Sequence, residues 1–330
     1  HRTTALSSTR SRGPVASSDM EFRRIENLPP YVFSIINGLK IEARRAGNDV
    51  VDLGFGNPDI PSPDIAVRKL AEAAHNPRNH RYSLSRGLPK LREAIAGYYK
   101  HKWDVDLDTE LEITNTIGSK EGFSHLMWVL LDHDDAAIVP SPSYPIHIYG
   151  PLFAGADLRQ VPMRFLADPD QREHFADDFM ESLKTAYDVG WPKPRVLVIS
   201  FPHNPTGAIV DLAFMQRVVD FCREHDMIVV NDFAYADIGF DGHEPPSILQ
   251  AEGAKECAVE LYSMTKSFSM AGWRSAFLLG NAEVVQALVK LKSYLDYGMF
   301  QPVQIAATVT INEAPDFPDE VRATYESRCD

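Results

Sequence analysis

A chain of 330 residues with 44% hydrophobic and 24% charged residues is long enough for one large domain and a smaller one around a substantial core. Its net charge of −13, with no Lys/Arg-rich block to offset it, excludes nucleic acid as a main partner, and no apolar run approaches the length of a membrane span. Three cysteines, Cys222, Cys257 and Cys329, show neither CxxC spacing nor an even count, so free thiols in a reducing compartment and a cytoplasmic location are expected.

Residues 1–19 are rich in Ser, Thr and Arg and carry no acid until Asp19, so residues 1–20 are expected to be a disordered tail or a cloning scar, with a transit-peptide remnant as the alternative. From residue 63 onward helix-like and strand-like segments alternate, the signature of a mostly parallel sheet covered by helices on both faces, an α/β fold. Phe123, Leu126, Met127, Leu130 and Leu131 recur at helical spacing, and residues 136–139 (AAIV) then form a short buried strand. Residues 195–200 (RVLVIS) predict another strand, followed by a helix whose apolar face carries Leu212, Met215, Val218, Val219 and Cys222. Strands are predicted again over 227–230 and 257–262, and Val284, Val285, Leu288 and Leu291 mark a further helix.

Four polar motifs follow four of these apolar strands directly: SPSY at 141–144, NPTG at 204–207, NDFAY at 231–235 and SMTK at 263–266. In open α/β sheets a ligand lies at the carboxyl ends of the strands, so the four motifs are expected to converge on one crevice. Lys266, with Ser263 three residues before it and Arg274 eight after, suits an aldehyde cofactor carrying a phosphate. The amine can form a Schiff base, while the hydroxyl and the guanidinium can hold the anion. Gly118, Ser119 and Lys120 open the helix whose face begins at Phe123, and the positive end of that helix is a natural phosphate site. Other motif readings fail on detail. Gly54-Phe55-Gly56 starts like a dinucleotide fingerprint but runs into Asn57-Pro58-Asp59, and Ser263-x-x-Lys266 lacks the S-D-N and K-T-G companions of the penicillin-binding enzymes. The eleven histidines include no HExxH or other metal-ligand spacing, so no metal is expected.

NPTG, then D-x-x-Y on the next strand, then S-x-x-K with an arginine eight residues later, resembles the fold-type-I pyridoxal-phosphate enzymes of the class I/II aminotransferase family. LPPYVF at 28–33, GNPD at 56–59, YSLSRGLPKLR at 82–92, PSYPIHIYG at 142–150 and KSYLDYG at 292–298 are most similar to the alanine (glutamate–pyruvate) branch. The resemblance implies pyridoxal 5′-phosphate bound covalently to Lys266, with Asp232 facing the pyridine nitrogen and Tyr235 and Asn204 hydrogen-bonding the phenolic oxygen. It further implies Tyr144 stacked on the ring, and Gly118, Ser119, Lys120, Ser263 and Arg274 around the phosphate. Gly56 and Asn204 would meet the substrate. Tyr82 would reach the phosphate of a second subunit, making a homodimer with shared sites. The same resemblance divides the chain into an N-terminal arm with part of a small domain (21–62), a large cofactor-binding domain (63–300) and the start of the C-terminal part of the small domain (301–330).

Members of that class usually run further, into a segment with the arginine that clamps the substrate α-carboxylate, and none of Arg322, Arg328 and Arg274 is placed to replace it. The chain therefore reads as a truncated piece with a complete cofactor site and an incomplete substrate site. Transfer of an amino group between an L-amino acid, alanine first, and a 2-oxo acid by a ping-pong route is the expected activity. A lyase or decarboxylase, an LL-diaminopimelate, aspartate or methionine aminotransferase, and a non-catalytic cofactor-binding domain are the alternatives. The last would need a basic DNA-binding segment that residues 1–62 do not hold.

Overall fold

Apolar residues that alternate between the two faces of each strand build a sheet that must be covered on both sides. The structure, a computed structural model, describes residues 22–26, 28–54, 56–163 and 174–329. The tail expected over residues 1–20 lies outside the described residues. The chain divides after Gly56 into an N-terminal unit and a larger unit. In the first, the helix Val32–Arg45 buries none of its residues, and Lys40 pairs with Asp52 at 2.6 Å.

The larger unit holds a seven-stranded sheet: β1 (Ile113–Ile117), β2 (Ala136–Ser141), β3 (Asp157–Pro162), β4 (Val196–Ile199), β5 (Ile228–Phe233), β6 (Ala258–Ser263) and β7 (Ser275–Gly280). Their spatial order is β1-β7-β6-β5-β4-β2-β3, with β7 antiparallel to both neighbours and the other pairs parallel. The mostly parallel α/β sheet expected from the sequence is thus present. Its strands begin or end one to three residues away from the expected limits. Cys257, expected in a strand, instead closes the short helix Ala254–Cys257, because the ladder to β5 starts at Ala258.

Period-two alternation sends Leu197, Ile199, Val229, Tyr262 and Phe277 to one face, where they pack with Leu91, Ile95 and Tyr99 of the helix Pro89–Trp103 and Met215 and Val219 of the helix Leu212–Glu224. Val198, Val230, Val259, Leu261 and Leu278 point the other way, onto Phe123 of the helix Ser119–Leu130 and Leu288 of the helix Ala282–Leu295. Burying each of these large side chains stabilises the fold by roughly 1.5–3 kcal/mol, which makes the sheet edge a rigid mount.

Parallel strands all finish on the same edge. Pairing of Ile117 with Ser275 and of Ser263 with Ala276 puts the end of β1, the end of β6 and the start of β7 side by side. Asp232 lies across from Leu261 and Phe233 from Tyr262, so β5 ends there as well. Among the described residues no helix is long and apolar enough to cross a membrane.

Candidate active site

Asp232 is the next-to-last residue of β5 and only 7% exposed. A carboxylate can only accept, so the Nε2–H of the buried His147 donates to its Oδ2 at 2.8 Å. The other ring nitrogen of His147 lies 3.0 Å from the Ser143 hydroxyl, and the Ser200 hydroxyl donates to the Asp232 carbonyl at 2.8 Å. Phe123 packs 5.1 Å from the imidazole ring. The second carboxylate oxygen, Oδ1, is buried with no partner within the protein. An ionised oxygen held in this way is costly unless a donor arrives from outside the chain.

Lys266 lies in the single turn of helix Met264–Ser267 that follows β6, where Ser263 caps the turn by accepting the Thr265 N–H. Burial lowers the Lys266 ammonium below the ordinary lysine range, so its neutral, nucleophilic form is more accessible. Nζ stands 6.0 Å from the centre of the Tyr235 ring. Burial raises the Tyr235 phenol, and the nearby Asp232 charge and Tyr144 raise it further, which places Tyr235, Asp232 and Tyr144 within electrostatic reach of one another.

At the end of β1, Gly118 takes φ +79°, a left-handed conformation that disfavours any side chain. It also has no room for one, because a Cβ there would overlap the Arg274 guanidinium. The following Ser119 Oγ is buried with no partner in the chain, and Lys120 Nζ stands 5.9 Å from the Tyr144 ring. The guanidinium, the unpartnered hydroxyl and the amino end of the twelve-residue helix Ser119–Leu130 therefore share one corner.

The structure thus gathers Lys266, Asp232, Tyr235, Tyr144, Lys120, Gly118, Ser119 and Arg274 at one sheet edge. The Ser263 hydroxyl is turned into the local contact with Thr265, donating to its Oγ1 at 2.8 Å. Asn204 follows β4 and is half-buried. Tyr82 is 88% exposed and lies against Tyr297, ring centres 5.2 Å apart, rather than among these residues. Gly56 closes the N-terminal unit. Arg328 pairs with Asp59 at 2.8 Å and Arg322 with Asp319 at 3.2 Å. Sequence reasoning missed His147. Its signal was present, because Ser143 and His147 are four residues apart where Pro145 starts a helix, the spacing that stacks two side chains on one face.

A second histidine, His203, sits just ahead of Asn204, with Nδ1 2.7 Å from the Thr206 hydroxyl. Burial, and to a lesser degree the neighbouring His147, push its imidazole down from 6.5 to about 4. An unfolded chain takes up a proton here below pH 6.5, whereas the folded one waits until about 4. Stability is therefore lost as the pH falls through that window, by at most ~3.5 kcal/mol at about 1.4 kcal/mol per unit. Urea unfolding of wild type and His203→Gln from pH 7 to 4 should show a flatter dependence in the variant. Parallel curves would mean that His203 titrates normally.

Comparison with known proteins assigns the class. The model of the family "Aminotransferase class I and II" matches residues 48–328. The chain belongs to that family, whose members are transaminases that use pyridoxal 5′-phosphate. It is 45% identical to the glutamate-pyruvate aminotransferase AlaC of Escherichia coli over 312 residues, 94% of this chain and 73% of that protein. It is 41% identical to the LL-diaminopimelate aminotransferase of Moorella thermoacetica over 310 residues, 94% of this chain and 77% of the relative. Substrate-bound BacF from Bacillus subtilis superposes with a TM-score of 0.84 at 32% identity, covering 94% of this chain and 76% of BacF.

Proposed function

We propose that this sheet edge holds pyridoxal phosphate on Lys266 and moves an amino group from L-alanine to 2-oxoglutarate by a ping-pong route. The observation that carries the site is the pairing of a burial-suppressed lysine with a buried carboxylate whose second oxygen has no partner. The residues fit the cofactor. Asp232 Oδ1 is an acceptor for a protonated ring nitrogen, and Ser119, Arg274 and the helix end form a cradle for a phosphate. When bound, the cofactor supplies an aldehyde for the amino group and a ring that takes up the electron pair left at the substrate Cα.

The protein's own part is positioning and proton movement. Asp232, oriented by His147, keeps its negative charge directed at the ring nitrogen. Lys266 Nζ, neutral once released, takes the Cα proton and later returns it. Tyr144 would lie against the ring, and Tyr235 and Asn204 would hydrogen-bond the phenolic oxygen. Lys120 and Gly118 would complete the phosphate corner, and Ser263 would join it on turning its hydroxyl away from Thr265. The exposed Tyr82, against the exposed Tyr297 and two residues from the exposed Leu84, supports a two-fold homodimer in which each tyrosine serves the other copy. The domain limits 21–62, 63–300 and 301–330 and a cytoplasmic setting belong to the same reading.

Alanine is favoured by the 45% identity to the alanine enzyme and by residues 296–300 (DYGMF), which carry no arginine for a distal carboxylate. LL-diaminopimelate is the second reading, supported by the 41% relative. Single-turnover conversion of the cofactor to its amine form, followed in absorbance with L-alanine, LL-diaminopimelate, L-aspartate and L-methionine, tests the choice. Alanine should react fastest at equal concentration and leave pyruvate. A faster reaction with LL-diaminopimelate would transfer the assignment to it, and release of carbon dioxide would make the protein a decarboxylase.

A further inference from the structure

A buried cation stands directly behind the turn that faces the phosphate corner. Lys292, on the helix Ala282–Leu295, is 1% exposed. Its Nζ lies 2.9 Å from Glu121 Oε1 and 3.1 and 3.0 Å from the two oxygens of Asp296. His125 Nδ1 is 2.6 Å from Glu121 Oε1 and 3.8 Å from Asp296 Oδ2. Glu121, His125 and Asp296 offer ligand atoms within 4.8 Å of one another, a grouping that resembles a metal site. The Lys292 ammonium already supplies the positive charge between the two carboxylates, so the cluster is complete without an ion.

Taking the Lys292 ammonium out of water beside two partly exposed carboxylates costs several kcal/mol, and their attraction does little more than offset it. Such a cluster is poor evidence for added stability and better evidence for a fixed register. What is fixed is legible in the next bond. Glu121 Oε2 accepts the backbone N–H of Ile117 at 2.7 Å, and Ile117 immediately precedes Gly118 and Ser119. Burial alone would raise the Glu121 carboxyl, but the His125 contact and the Lys292 charge hold it at about 2, so it stays an acceptor at working pH. The carboxylate that Lys292 pairs with therefore also bonds the last β1 residue, which leads directly into the turn on which Gly118 and Ser119 sit.

We propose that Lys292 is a positioning residue which, acting through Glu121, holds the Gly118–Ser119 turn in the shape that grips the cofactor's phosphate. The proposal rests on the reading of that corner as the phosphate site. It implies selectivity: loss of Lys292 weakens the hold on the phosphate and leaves the hold on the ring and aldehyde intact.

The test compares the dissociation constants of pyridoxal phosphate and of pyridoxal, which lacks the phosphate, in wild type, Lys292→Met and Glu121→Gln. Lys292→Met should bind pyridoxal phosphate about tenfold more weakly, the factor that ~1.4 kcal/mol represents, while pyridoxal changes by less than about twofold. Glu121→Gln, nearly the same shape, should fold normally and show the same selective loss at smaller size, so the test stands even if Lys292→Met does not fold. The ³¹P resonance of the bound phosphate should shift in both. Equal weakening of the two ligands, or no change in either, overturns the role of Lys292 while wild type still captures pyridoxal phosphate on Lys266. A wild type that captures none removes the proposed function and this inference together.

Discussion

Lys266→Ala is expected to abolish covalent capture of the cofactor and to reduce turnover by at least ~10⁴-fold, since both the nucleophile and the group that moves the Cα proton are lost. Pyridoxal phosphate should still bind, held by the phosphate corner and the Asp232 carboxylate, but without the visible band of a lysine-linked cofactor. Borohydride reduction of wild type followed by peptide mass mapping should place the label on Lys266, and a label on another lysine would refute the assignment. The capture rate should rise with pH with a midpoint below the ordinary lysine value of 10.5, because burial disfavours the ammonium. Mixing Lys266→Ala with Tyr82→Phe subunits should recover part of the activity if each site draws Tyr82 from the other copy. No recovery despite subunit exchange would mean that Tyr82 serves its own chain.

Asp232→Asn should keep the cofactor yet lose about 10²–10³ in turnover, roughly 2.7–4 kcal/mol, the size expected for a central electrostatic contact in a dry site. The amide oxygen can still accept the His147 Nε2–H. The amide carries no charge, so nothing holds a proton on the ring nitrogen, and the electron pair at Cα is less well stabilised. Stopped-flow rates of the first half-transfer, with cofactor affinity measured alongside, separate the two effects. Near-normal rates in the variant would end this role for Asp232. His147→Phe should produce a smaller loss of the same kind, as the carboxylate would lose its orienting donor while keeping its charge.

The chemistry was legible in the sequence because each reacting group follows an apolar strand. Lys266 comes three residues after β6 ends at Ser263, and Asp232 lies at the end of β5. A run of buried residues announces the strand, and the fold class then fixes the edge on which such groups emerge. β1, β3 and β7 carried weaker signals. β1 reads ITNTI, with Thr114, Asn115 and Thr116 all buried, so its polarity hid a buried strand at the sheet's edge whose stability comes from pairing with β7, far away in sequence. β3 is a mostly exposed edge strand, and β7 runs against its neighbours.

Tertiary structure alone decided which partner each charged group meets. His147 and Asp232 are 85 residues apart, and Lys292 and Glu121 are 171 apart. Local periodicity shows that a face is buried but not which distant side chain shares it. The close approach of Gly118 to Arg274 is of the same kind, since it depends on β7 lying antiparallel beside β1 so that the start of one strand meets the end of the other. Residue type and spacing determined what reaction the chain can support. Strand order and helix packing determined which charges sit close enough, and dry enough, to act on one another, because electrostatic coupling depends on distance and burial, neither of which a linear sequence states.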